Sequence, residues 1–151
     1  MKTIILIILI FASSLSFGQV DWKRIAIKST FITFSGACDG TAETLKFHYA
    51  QFGKVFPKAS KQFCDPSVSW QNKYKGGDPA NGSKFPGSTG LLVGATDLYH
   101  LMRMVRNTTM IVGLTIDIGS PLKKWYVYVI EGVCYYIAYT GGFNLSYDII
   151  F

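Results

Sequence analysis

Apolar residues fall in four blocks along the chain, and charged positions interrupt all but the first of them. The first block, Ile4 to Ala12, is nearly unbroken, follows Lys2, and leads to Ser16-Phe17-Gly18. Small residues at Ser16 and Gly18 stand where a signal peptidase inspects the chain, so residues 1–18 are expected to be a signal peptide whose removal leaves Gln19 first. At 1.5 Å per residue this core is too short to cross a hydrocarbon layer of about 30 Å as a helix. An uncleaved anchor is the alternative, because charge-free residues continue to Val20. No cysteine follows the cleavage region, which argues against a lipidated N-terminus.

The second block predicts a helix from Trp22 to about Tyr49. Ile25, Phe31, Ile32, Phe34, Ala37, Cys38, Leu45 and Phe47 supply its apolar covering. From Trp22 to Leu45 it would run roughly 35 Å, enough to cross a bilayer with tilt. Lys28 can snorkel, whereas Asp39 and Glu43 need protein, water or headgroups around them.

Pro and Gly punctuate the stretch from Phe56 to Gly90, which therefore reads as a long loop, exposed or lying on a membrane surface. Trp70, Tyr74 and Phe85 are candidate interfacial anchors there. The third block predicts a helix from Ser88 or Thr89 to Ile116 or Ile118, stopped by Gly119-Ser120-Pro121. Asp97, His100, Arg103 and Arg106 recur along it every three residues, a slowly turning polar seam that suits a bundle interior better than lipid. In the fourth block, Trp125 to Phe143 carries a single charge, Glu131, behind the interfacial start Lys123-Lys124-Trp125, and is long enough to span as a helix.

These blocks define a mainly α fold: a small helical membrane protein with about three mature apolar helices and a long Gly/Pro/Lys-containing loop, residues 19–151 forming a single membrane-associated domain. The tail offers two alternatives. Phe143, Leu145, Tyr147, Ile149 and Phe151 alternate like the last strand of a small outer-membrane β-barrel, and a soluble or peripheral helical fold also accommodates the pattern.

Charge refines this picture through its distribution. Lys46 to Lys84 contains seven lysines against Asp65 and Asp78, and the rest of the mature chain is neutral. The span has no arginine and no strand-spaced aromatic pair for base stacking, so nucleic acid is not an expected partner. The lipid bilayer and its anionic headgroups are. A first span would carry this loop to the inside, as the positive-inside tendency prefers, and a second would bring Lys123 and Lys124 outside. The expected location is the bacterial cell envelope, in the cytoplasmic membrane, with the outer membrane as alternative. A homo-oligomer or an envelope protein partner fits as well. The three cysteines allow one disulfide in an oxidising compartment, but Cys38 and Cys134 lie in apolar settings and read as buried small hydrophobes.

Candidate chemistry is sparse. Asp39 and Glu43, four apart, share a helix face, where paired carboxylates can bind a divalent ion or act as acid beside base; the structural reading makes Asp39 a cap before Gly40. His100, three residues from Asp97, can donate one ring nitrogen to it. Asp39, Glu43 and His100 together are a candidate catalytic metal site for zinc or manganese, although no HExxH is present. Arg103 and Arg106 are candidate phosphate-binding residues, or partners for Asp39, Glu43, Asp97 or Glu131 across a bundle. Glu131 is a candidate ion partner. No GxSxG elbow or phosphate loop occurs, and sequons at Asn107 and Asn144 are formal matches that an apolar setting would hide.

DGTAETLKFHY at Asp39 to Tyr49, FCDPSVSWQNKYKGGDP at Phe63 to Pro79 and TDLYHLMRMVRNTTM at Thr96 to Met110 together resemble a family of small, uncharacterised bacterial proteins with signal or membrane segments. The resemblance implies that the three patches belong to one unit and brings no activity with it. The expected function is a structural, binding or accessory role in a membrane. The alternative is a membrane-embedded metal-dependent hydrolase acting on a lipid or envelope substrate.

Overall fold

The computed structural model describes residues 20–117 and 121–151; the expected signal peptide lies outside the described residues. Three long helices dominate: α1 (Trp22–Phe47), α5 (Leu98–Thr115) and α6 (Trp125–Asn144). Between α1 and α5 come α2 (Tyr49–Val55), α3 (Lys61–Cys64), α4 (Pro66–Ser69) and several short 3-10 turns. The fold is thus mainly α, with no β-strand among the described residues.

Helix α1 is the centre of the assembly. Asp21 caps it, accepting the Arg24 N–H at 3.0 Å, and α5 and α6 both pack along it while meeting each other only marginally. α5 runs antiparallel to α1: Gly113 sits against Phe31 and Ile32, and Ser35 donates to the Arg106 carbonyl at 2.9 Å. α6 runs parallel to α1, since Ile25 packs with Val127 while Gly36 meets Tyr139 and Gly40 meets Ser146. Such a pair needs a crossing connection between its members, and α5 supplies it.

The α1/α6 seam depends on small residues. A Cβ on Gly36 would stand 2.1 Å from the Tyr139 carbonyl oxygen, one on Gly142 would stand 2.0 Å from that of Thr33, and one on Gly40 would stand 2.6 Å from that of Phe143. Glycine inside a helix costs about 1 kcal/mol relative to alanine; here it lets two backbones touch, the close approach that a small-xxx-small spacing such as Gly36-x-x-x-Gly40 permits. Apolar clusters close the two ends of the bundle. Val20, Ile25 and Val127 pack with Ile130 and Tyr135 at one, and Leu45, Phe52 and Cys64 with Leu98 and Phe151 at the other.

Four expectations are corrected. The helix predicted from Ser88 or Thr89 begins only at Leu98: Gly87 takes φ +86°, Gly90 and Gly94 weaken helix formation, and Asp97 supplies the N-cap. The alternating tail is not a barrel strand. It completes α6 and continues as a π-helical run, Leu145–Ile150, anchored by Ser146 donating to the Ala37 carbonyl at 2.8 Å. Of the cysteines read as buried, Cys134 is only half-buried, and all three are free thiols. The Gly/Pro-rich stretch forms an ordered cap instead of an open loop. Asn72 donates to the Gln62 and Thr96 carbonyls at 2.6 and 2.9 Å, and buried Ser88 donates to the Lys73 carbonyl at 2.7 Å. Taken singly, no helix of the described residues is long and apolar enough to cross a membrane.

Candidate functional site

The interior of the bundle is charged. Lys28, on the face of α1 between α5 and α6, is 3% exposed, and its ammonium donates to Asp117, just past the end of α5, while standing 3.8 Å from Glu131 of α6. Instead of snorkelling it turns inward. Lys123, in the connection before α6, closes a ring by donating to Asp117 at 2.8 Å and to Glu131 at 2.5 Å. Each ammonium therefore faces both carboxylates, so no charge in the ring is buried alone, the condition under which such groups are tolerated away from water. The Tyr135 ring lies under Lys28, 4.9 Å from its nitrogen, and Arg24 reaches Asp117 at 3.5 Å.

Two groups of this ring lie in the α5–α6 connection and show what it does to ionisation. Burial alone would push the Asp117 carboxyl up; hydrogen bonds from Lys123 and Lys28 overcome that and hold it at about 2. For Lys123, burial opposes the charge, and the bonds to Asp117 and Glu131 more than offset it, raising the ammonium above its ordinary value.

A second cluster lies further along α1. The helix continues through Asp39 and Gly40, so Asp39 does not act as a cap. Its carboxylate accepts a hydrogen bond from Arg106 of α5 and another, at 2.5 Å, from the Tyr139 hydroxyl of α6. One carboxylate thereby joins all three long helices. Glu43, one turn on, is half-buried and makes no hydrogen bond or ion pair among the described residues.

The third cluster is local. Asp97, 2% exposed, accepts the His100 backbone N–H at 2.9 Å, faces the His100 Nδ1 at 2.7 Å and accepts from Thr96 at 3.0 Å. His100 Nε2 stands 3.4 Å from the Lys73 ammonium. With the Nδ1 proton toward Asp97, Nε2 accepts from Lys73, which joins the cap to α5. Arg103 is exposed and donates to Tyr99 at 2.8 Å.

The expected site residues are thus distributed over three places. Asp39 and Arg106 come together, and Glu131 belongs to the ring at the opposite end of α1. His100 holds Asp97 and Lys73, about 9 Å along α5 from Arg106 at 1.5 Å rise per residue. Asp39, Glu43 and His100 do not converge, and no group of three or more His, Cys, Asp or Glu side chains among the described residues could hold a metal ion.

Sequence reasoning missed Asp117, Lys123 and Tyr139. Asp117 and Lys123 lie outside the helices, where no periodicity marks a face. Tyr139 is one of several tyrosines in an aromatic block. The missed signal was Gly36-x-x-x-Gly40, which marks the α6-facing side of α1 and hence the register that brings Tyr139 to Asp39.

Comparison with family models, with curated proteins and with solved structures finds no match to this chain.

Proposed function

We propose that this chain is a small integral membrane protein with a structural, binding or accessory role, its three-helix unit embedded in lipid. One observation carries the proposal: an uncharged belt around a charged interior. Among the described residues, no charged side chain is exposed on α1 between Arg24 and Lys46, on α5 after Arg103, or anywhere along α6. The outward positions of α6 include Trp125, Val129, Val133, Tyr136 and Ile137, all more than half exposed. From Arg24 to Lys46 the belt measures about 33 Å at 1.5 Å per residue, against a hydrocarbon thickness of about 30 Å.

Hydropathy averaged along one helix understates this belt, because Lys28, Asp39 and Glu131, which lower the average, are turned inward. In water, an apolar surface of this extent would drive association; in lipid it needs no partner. The inward charges then act as fasteners: the ring at one end and the Asp39 cluster further along give three helices one register where lipid supplies no hydrophobic force between them. Trp22 and Trp125 stand at the same end of the unit, the position of an interfacial aromatic girdle, and the lysine-rich cap lies at the other.

The test is extraction of membranes from cells expressing the full chain. We expect the protein to stay in the pellet through high salt and alkaline carbonate and to enter solution with detergent. Release by salt, followed by monodisperse behaviour in detergent-free buffer, would overturn the proposal.

A further inference from the structure

We infer that the apolar cavity at the lysine-rich end of the bundle is a binding site for a single-chain anionic amphiphile, a long-chain fatty acid. The cavity has a volume of about 780 Å³ and lies between α1, α2, the start of α5 and the C-terminal turn. Phe34, Phe52, Phe56, Met102 and Phe151 are among the large apolar residues of its wall, and Lys58 carries the one charged side chain on it. This is the size range of small-molecule sites, roughly 300–1,000 Å³.

Chemistry and volume narrow the occupant. The two hydroxyls on the wall are already committed, Thr41 and Ser146 both donating to the Ala37 carbonyl at 2.9 and 2.8 Å. The interior therefore offers a ligand apolar contact and no free hydroxyl donor, which suits a hydrocarbon tail. At roughly 30 Å³ per methylene, the volume share of a water molecule, the space accommodates one fatty acyl chain and falls short of two. Charge selects the head. Lys58 is exposed and makes no ion pair among the described residues, and from Lys54 through Lys61 to Cys64 the chain carries no acidic residue. A carboxylate seated at Lys58 would meet positive charge with nothing beside it in sequence to repel it.

The inference goes beyond embedding in lipid, and its test separates the two. Full-length protein purified in a nonionic detergent is photolabelled with a palmitate analogue bearing a diazirine in its chain, and the adducts are mapped by mass spectrometry. We expect saturable adducts at the cavity wall that unlabelled palmitate removes, while any adducts on the outer residues Val129, Val133 and Ile137 rise linearly with probe. Between caprylate and palmitate, each added methylene should strengthen competition by up to about fourfold. Lys58→Glu should weaken palmitate several-fold and leave palmityl alcohol unchanged. Val105→Trp, which fills the cavity, should abolish both, with retained helical circular dichroism as its control. Cavity adducts no more saturable than those on the outer belt would overturn the inference, whatever becomes of the bilayer reading. So would equal sensitivity of palmitate and palmityl alcohol to Lys58→Glu, or displacement of palmitate by a two-chain phosphatidylglycerol at lower concentration than by palmitate itself.

Discussion

The Tyr139 hydroxyl of α6 donates to the Asp39 carboxylate of α1 at 2.5 Å, across 100 residues of sequence, while Arg106 of α5 holds the other oxygen of the same group. Removing the hydroxyl isolates one fastener. Tyr139→Phe keeps the ring and leaves Asp39 paired with Arg106, so we expect a loss of about 1.5–3 kcal/mol, the usual range for a hydrogen bond to a charged group. Asp39→Asn should cost more, because it strips the Arg106 guanidinium of its carboxylate. Reversible unfolding in mixed detergent micelles measures both; equal stability of Tyr139→Phe and the parent would show that the contact contributes nothing.

The ring at the other end makes a sharper case, since Lys28 is 3% and Glu131 5% exposed. Deleting one partner of a buried pair leaves an uncompensated charge and typically costs about 3–5 kcal/mol. Lys28→Met should fall in that range. Combining it with Glu131→Gln restores the balance of Asp117 against Lys123, so the double variant should be more stable than the sum of the single losses requires. Strict additivity in this double-mutant cycle would mean that the two groups are not coupled.

Glycine gives a contrast within one helix. A Cβ at Gly142 would meet the Thr33 carbonyl oxygen at 2.0 Å, whereas one at Gly132 would meet nothing within 4 Å. Gly142→Ala must push α6 from α1 and loosen the Asp39–Tyr139 bond with it. Gly132→Ala relieves only backbone entropy and should stabilise by roughly 0.5–1 kcal/mol. Opposite signs for two identical substitutions ten residues apart would locate the seam; the same sign would remove it.

These contrasts also show what could be read from sequence. The helices α1 and α6 were legible because their apolar blocks are long and free of proline, and the expectation that Arg106 would neutralise a carboxylate across the bundle matches its bond to Asp39. The three-residue spacing of Asp97 and His100 placed that pair correctly as well. The ring was not legible: Lys28 and Asp117 lie 89 positions apart, and nothing local distinguishes a lysine that snorkels from one that turns inward. The start of α5 was misplaced because the apolar run from Leu91 suggests helix, while the tertiary bond from Asn72 to the Thr96 carbonyl and the Asp97 cap decide otherwise.

Acid strong enough to protonate Asp117 should weaken the ring. Its carboxyl is held at about 2, below the ordinary value of 3.8, so the stability it contributes is fully present above roughly pH 4 and is lost as pH falls toward 2. Lys123 has the opposite sign: its raised ammonium contributes below its ordinary 10.5, and that contribution disappears only as pH rises beyond it. Stability followed between pH 2 and pH 7 should therefore decline below pH 4 in the parent and decline less steeply in Asp117→Asn. Parallel profiles would mean that other carboxyls govern the acid limb.

The outer belt offers the test that separates lipid from water at a single position. Ile137 of α6 is 62% exposed and touches neither charged cluster, so in water its replacement by lysine should fall within about 0.5 kcal/mol of neutral. Facing hydrocarbon, the same ammonium should cost about 2.5–3.5 kcal/mol on insertion scales. Ile137→Lys should then reduce the membrane-inserted fraction severely, while Leu122→Lys, at a fully exposed position in the α5–α6 connection, should leave it intact. An unchanged yield and stability for both variants would place water, or a polar partner, against the outer face of α6. Failure confined to Ile137→Lys would place hydrocarbon there, because a polar surface has no reason to reject a charge at one site and accept it at the other.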